Sequence, residues 1–123
     1  MKIRIKSLDA HAENYDKHFE IEQVINGDCK QEYHYLDEFG KCKVVKWEDT
    51  VEIYRYGKIN SKQIFKSGKR TLFIYMTGSF KAKYEIFTKK IFFNDGKILL
   101  EYDIMDGNEI INSIRLEIIP FIK

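Results

Sequence analysis

The sequence predicts an all-β protein, folded as one closed antiparallel meander barrel of about eight to ten strands. Three observations carry that prediction. The 123 residues contain 22 Ile and Val but only 9 Leu and Ala, and β-branched side chains suit a pleated surface whereas Leu and Ala favour helices. Aromatic residues number 18 and proline only one, so large rings are plentiful and strand breakers scarce. Short alternating runs separated by glycine-bearing turns recur along the whole chain, which is the texture of a meander. The length predicts a single domain over residues 1–123. An open sheet of so many strands would expose long edges, and closure removes them.

The elements follow in order. Ile3 and Ile5 open a first strand, and residues 9–17 are polar enough to predict a loop or one helical turn. A second strand carries Phe19 and Ile21 and ends near Asn26-Gly27-Asp28. With residues 37–40 as a loop, Tyr33 faces Val44, Tyr35 faces Cys42 and His34 faces Lys43. A slip of one residue would mix those apolar and polar faces, so the register is well specified. Gly57-Lys58 turns between strands 51–56 and 59–65, and Ser67-Gly68-Lys69 leads into 71–77. Gly78-Ser79 is the pattern of a type II′ hairpin turn, with glycine at the first central position. It pairs Tyr75 with Ala82, Phe73 with Tyr84 and Thr77 with Phe80. Asp95-Gly96 pairs Phe93 with Ile98 and Ile91 with Leu100. Apolar positions are even through Ile86 and odd from Ile91, so a bulge is expected around residues 88–90. A last loop at Asp106-Gly107-Asn108 pairs Ile104 with Ile110, Tyr102 with Asn112, Leu100 with Ile114 and Ile98 with Leu116.

Composition excludes several classes of function. The net charge is +2, and 17 of the 21 cations are lysines, which lacks the basic excess of a nucleic-acid-binding domain. Tyr54 and Tyr56 point outward near lysines, but edge-blunting lysines and scattered surface rings explain that pattern, so nucleic acid is not an expected partner. The amino terminus alternates, unlike a signal peptide, and no run approaches the ~18 apolar residues of a membrane helix. A cytoplasmic protein with reduced cysteines is expected: Cys29 and Cys42 fall about six rungs apart, too far for a disulfide, and Cys42 is a small buried residue. His11, His18 and His34 do not have metal-ligand spacing. No nucleophile elbow, Ser/His/acid set or phosphate-cradling glycine loop is present. The expectation is a non-enzyme without cofactor or metal.

The candidate site comes from the interior face. Counting by two from Val51 and Ile53 aims Arg55 into the barrel, and similar counting sends Tyr75, Thr77, Tyr84, Thr88 and Tyr102 inward. A buried guanidinium needs acceptors. One reading is that Arg55 anchors a small anionic or amphipathic ligand at the barrel interior or mouth, with the hydroxyls orienting it. The other is that the protein itself satisfies Arg55, through backbone carbonyls, Asp103 or Glu101. Tyr33, Tyr35, Phe73, Tyr75, Phe80, Tyr84, Phe93 and Tyr102 would then fill the lumen. In that case the protein is a structural or interaction module, working through its surface on a protein or RNA partner.

From residue 51 onward the chain also carries Val51-x-Ile53-x-Arg55-x-Gly57, Phe65-x-x-Gly68, Thr71, Tyr75-x-Thr77, Thr88, Ile91 and Gly96-x-Ile98-x-x-x-Tyr102-x-Ile104. In this order and spacing the chain resembles the YwiB-like family of bacterial proteins, with its calycin-type, lipocalin-like barrel. The resemblance implies that barrel fold and a bacterial source. It implies no activity.

Overall fold

The computed structural model describes residues 1–122. Ten strands succeed one another: β1 Lys2–Asp9, β2 Asn14–Asn26, β3 Gln31–Asp37, β4 Gly40–Lys46, β5 Thr50–Gly57, β6 Asn60–Lys66, β7 Arg70–Met76, β8 Lys81–Asn94, β9 Lys97–Asp106 and β10 Glu109–Phe121. Each pairs antiparallel with its neighbour in sequence, and β1 pairs with β10 to close the barrel. None of the described residues belongs to a helix long and apolar enough to cross a membrane.

Most of the predicted registers are those observed. Tyr33 faces Val44, Tyr35 faces Cys42 and His34 faces Lys43. Phe73 faces Tyr84, Tyr75 faces Ala82, and Phe93 faces Ile98. The register shifts between Thr88 and Lys90, at the expected bulge. Asp95 and Gly96 both take positive φ, 51° and 82°, the geometry of a type I′ turn.

Three expectations need correction. Residues 14–17 are strand, not loop: the turn is confined to residues 10–13. Asp9 makes so short a turn possible, because its carboxylate accepts the N–H groups of His11 (2.9 Å) and Glu13 (3.0 Å). Arg4 and Asp16, on adjoining strands, then join through two hydrogen bonds of 2.9 and 2.7 Å. Gly78 and Ser79 do form the β7–β8 turn, closed by Thr77 N–H to Phe80 C=O at 2.8 Å, but Gly78 is absent from the positive-φ glycines, so the turn is not type II′. In the last hairpin Ile104 faces Asn112, Tyr102 faces Ile114, Leu100 faces Leu116 and Ile98 faces Ile118, two residues from the expected pairing. A tighter turn and a bulge between Ile110 and Asn112 produce the offset. A shift of two keeps every side chain on its face, so the alternating pattern cannot detect it.

The interior is graded from end to end. Turns that follow odd-numbered strands gather at one end, and the other turns gather with the termini at the opposite end. Near the second end Ile3, Val51, Phe65, Ile98 and Ile118 are wholly buried, and Val44, Ile86 and Leu100 continue that packing toward the middle. At the first end inward-facing side chains remain partly open to solvent. Two glycines shape this rim. Gly40 and Gly57 face each other across β4 and β5, and a Cβ on Gly40 would fall 2.1 Å from the Tyr56 carbonyl oxygen.

Candidate ligand site at the barrel mouth

Cross-strand pairing assembles the site in rows, since directly opposed residues share a face. One row runs Tyr35, Cys42, Arg55, Ser61, Tyr75, Ala82. Below it lies Tyr33, Val44, Ile53, Gln63, Phe73, Tyr84. Tyr35, Cys42, Tyr33 and Val44 are buried, which fixes this face as the interior. Ser61, Gln63, Phe73, Tyr75 and Tyr84, on β6 to β8, are only half-buried. The β3–β4 part of these rows is packed while the β6–β8 part is open.

Arg55 is held by Asp37. Its Nε (3.1 Å) and Nη2 (2.7 Å) both donate to Oδ2, and Oδ1 accepts the N–H groups of Phe39 (2.9 Å) and Gly40 (3.1 Å). The Phe39 ring lies 5.7 Å from the guanidinium carbon. Burial alone would raise the Asp37 carboxyl, but the Arg55 hydrogen bond, the Phe39 N–H and the Arg55 charge outweigh it and hold the pKa below the ordinary value. For Arg55 burial pulls downward and Asp37 prevails, so its pKa rises. The two partners are unequally exposed, 30% for the Arg55 side chain and 4% for Asp37. The carboxylate is sealed behind the guanidinium, which presents the positive member of the pair to the mouth.

The six predicted residues occupy four levels. Arg55 and Tyr75 share the upper row, bridged by Ser61. Thr77 sits at the rim, where its N–H closes the β7–β8 turn. Tyr84 belongs to the row beneath, opposite Phe73, with ring centroids 6.0 Å apart. Thr88 and Tyr102 face each other deeper, against the packed end. Burial pushes the Tyr102 phenol up, with a hydrogen bond from the Gln63 side chain acting in the opposite direction. The Thr88 hydroxyl is fully buried and has no hydrogen-bond partner among the described residues. The six residues are therefore spread from β5 to β9 around nearly half of a graded interior and do not converge on a point.

Neither expected acid serves Arg55. Asp103 alternates with Tyr102 and so points to the other face, where it accepts from Ser113 Oγ (2.7 Å) and meets Lys89 (3.1 Å). Glu101 has the same parity. Asp37 escapes a sequence reading that places residues 37–40 in a loop, yet it is the last inward residue of β3. Tyr15 escapes for the same reason: on β2 it pairs with Ser7 of β1, the charges of Asp37 and Arg55 act on it, and burial raises its phenol. Phe80 is not in the lumen; it is 56% exposed at the rim, edge-on to Tyr75.

Other candidates stand apart from this site. His11 lies in the β1–β2 turn, His18 packs edge-on against Phe121 at 5.4 Å, and His34 meets Glu32 at 3.1 Å. Cys29 is exposed and Cys42 buried, both free. Burial, with the nearby Asp37 charge, pushes the Cys42 thiol up to about 11. A hollow of about 230 Å³ touches Arg55 and Ser61 together with outward Tyr54, Tyr56 and Lys62. A larger one, about 460 Å³, opens at the opposite end beside Asn26, Cys29, Trp47 and Phe93, away from Arg55.

Residues 3–118 match the model of a family described as a domain of unknown function, DUF1934. The chain belongs to that family. It is also similar to the crystal structure of the ywiB protein from Bacillus subtilis, at 19% identity and a TM-score of 0.73 over 95% of this chain and 87% of that one. The YwiB-like resemblance is thereby supported, and the fold it implied is observed as a closed ten-strand antiparallel meander barrel. No curated protein matches the sequence.

Proposed function

We infer that this member of the family is a cytosolic, non-catalytic binding protein that takes a small amphipathic molecule at the mouth of the barrel. The apolar part would enter along the half-open wall of Phe73, Tyr75 and Tyr84, and a polar or anionic head would meet Arg55. The observation that carries this reading is the unequal burial of the interior: inward phenols, a serine and an amide on β6 to β8 stay half-exposed, while Tyr33, Tyr35, Cys42 and Val44 in the same rows on β3 and β4 are packed. Ligand sites combine such apolar and aromatic walls with a few placed polar groups. Asp37 already occupies Nε and Nη2, so the rest of the guanidinium fork, which a lysine would lack, would meet the head. The polar Thr88 hydroxyl deeper on the same wall supports the reading, since a buried polar group without a partner is rare in native cores.

The Arg55–Asp37 pair also favours a second reading, in which Arg55 only orders the rim and the protein acts through its outer surface. Titration with 1-anilinonaphthalene-8-sulfonate, an anionic amphipathic probe, followed by displacement with decanoate, separates the two. Saturable uptake by the native protein is expected, weakened about tenfold in Arg55→Lys or Tyr84→Ala, as loss of one anchoring contact implies. Native mass spectrometry of the protein as purified should show a retained small molecule. Absence of saturable uptake, or uptake indifferent to both substitutions, overturns the first reading and leaves the second.

A further inference from the structure

The register brings to one patch of the outer wall a set of residues that the sequence scatters over some forty positions. One outward row runs His34, Lys43, Tyr54, Lys62, Ile74, Lys83 across β3 to β8. Nearer the mouth, Lys41 pairs with Tyr56, and Met76 pairs with Lys81. Five lysines therefore fall on β4, β6 and β8, at every second strand, roughly 10 Å apart around the wall at ordinary strand spacing. None of the five forms an ion pair among the described residues, and these rows contain no carboxylate.

The acids beside the patch are already engaged. Glu32 meets Lys30 at 2.8 Å and His34 at 3.1 Å. Glu85 meets Arg70 at 3.2 Å. Glu52 accepts from the Trp47 indole at 2.8 Å and from the Tyr54 hydroxyl. Those Glu52 donors are neutral, so its charge remains beside Tyr54, but five lysines outnumber it on a protein whose net charge is only +2, and the rest of the chain is net negative. A polyanion would be steered to this wall and away from the others.

The aromatic component makes the patch more than a cation cluster. Tyr54 is fixed by its hydroxyl on Glu52 and lies under Lys43 Nζ at 4.6 Å and Lys62 Nζ at 5.9 Å. Tyr56 lies nearly parallel to it, with centroids 6.2 Å apart and planes 6° from parallel. Tyr56 is 53% exposed. Parallel, oriented rings flanked by free ammonium groups combine base stacking with phosphate attraction. A double helix would present no unpaired base to these rings.

We propose that this outer wall binds single-stranded nucleic acid, with Tyr54 and Tyr56 as the stacking platform and Lys41, Lys43, Lys62, Lys81 and Lys83 as the phosphate track. It is a site distinct from the mouth, and it does not depend on a lumen ligand. The test uses the full chain and a fluorescein-labelled oligo(U) of about twelve nucleotides, within the site sizes of single-strand-binding barrels. Anisotropy should report saturable binding at low salt, with the affinity falling along a logarithmic salt slope no steeper than about −3.5 for five lysines. Lys43→Gln with Lys62→Gln should flatten that slope by about 1.4. Tyr56→Ala should weaken binding about tenfold at unchanged slope, because it removes stacking and no charge. Lys2→Gln with Lys97→Gln, on β1 and β9, should leave both quantities as they are, and circular dichroism melts confirm that every variant is folded.

Each contrary result overturns the proposal in its own way. No binding at low salt removes the site. Equal weakening by the β1/β9 control pair means non-specific charge. Binding indifferent to Tyr56→Ala, with heparin competing as well as oligo(U), means a general polyanion patch. Binding to vesicles containing anionic phosphatidylglycerol but not to the oligonucleotide assigns the wall to a membrane surface instead.

Discussion

Replacing Gly57 by alanine tests the backbone contact on which the mouth is built. A Cβ at Gly57 would lie 2.4 Å from the carbonyl oxygen of Phe39 and 2.7 Å from the Cα of Gly40, at a φ of +157°. Both are backbone atoms of the facing segment, so no side-chain rotation relieves the clash. The strands must part at the Gly40–Gly57 pair. Overpacking of this kind costs about 1–3 kcal/mol, and a non-glycine residue in a sparsely populated backbone region costs about 1–3 kcal/mol more. With partial relaxation the loss is about 3 kcal/mol, which at about 4 °C per kcal/mol for a domain of this size lowers Tm by about 12 °C.

Scanning calorimetry with two companion variants isolates the cause. At Gly68 φ is +73° but an added Cβ meets nothing within 4 Å, so Gly68→Ala suffers the backbone penalty alone, about 1 kcal/mol. Gly78 is open and outside the left-handed region. Alanine there restricts the unfolded chain and should leave Tm unchanged or slightly raised. The expected order of loss is Gly57, Gly68, Gly78. A Gly57→Ala melt within about 2 °C of the parent, well under the shift for 1 kcal/mol, would refute the argument that the rim needs two glycines face to face.

Two further outcomes bear on the mouth. Asp37→Asn removes the only carboxylate bonded to Arg55 among the described residues, and should cost about 2 kcal/mol at neutral pH, less than a fully buried pair because the guanidinium is partly solvated. The Asp37 pKa is depressed below 3.8 in the folded state, so its contribution is complete above that value and is lost as pH falls through the depressed one. Chemical melts from pH 7 to pH 2 should show the gap between parent and variant closing at the acid end, and a gap independent of pH would contradict the pairing. The thiols give an independent measure of how well the interior is sealed. Cys29 is exposed and Cys42 buried with its pKa pushed to about 11, so at pH 8 Ellman's reagent should titrate one thiol rapidly in the native protein and two in denaturant. Rapid reaction of both would mean that the Tyr35–Cys42–Arg55 row is open to solvent.

The legibility of the fold follows from what a residue pattern can encode. Hairpins with one apolar and one polar face, such as Tyr33 opposite Val44 and His34 opposite Lys43, fix their own register, because any odd slip reverses the faces. The even-to-odd switch between Ile86 and Ile91 locates the bulge for the same reason. Even slips are invisible. Ile110 and Ile111 are adjacent and both apolar, so nothing in the pattern reports which of them is displaced. Residues 14–17 are Asn-Tyr-Asp-Lys, with no strand signal of their own; the ladder to β1 makes them strand.

The site was legible in outline and opaque in its partners, and the difference is physical. Alternation along one strand reveals that Arg55 faces inward, because parity is local. Which acid meets it depends on where β3 ends relative to β5, a separation of eighteen residues, and on whether Asp37 is the last residue of a strand or the first of a loop. The outer wall makes the same point from the opposite side. A net charge averages over the whole molecule, whereas a charged partner responds to what lies within about one Debye length, roughly 10 Å. Lys43, Lys62 and Lys83 are far apart in sequence but share one cross-strand row. A whole-chain net charge therefore does not describe the local balance on this wall, where Glu32 and Glu85 of the adjoining row are ion-paired with Lys30 and Arg70.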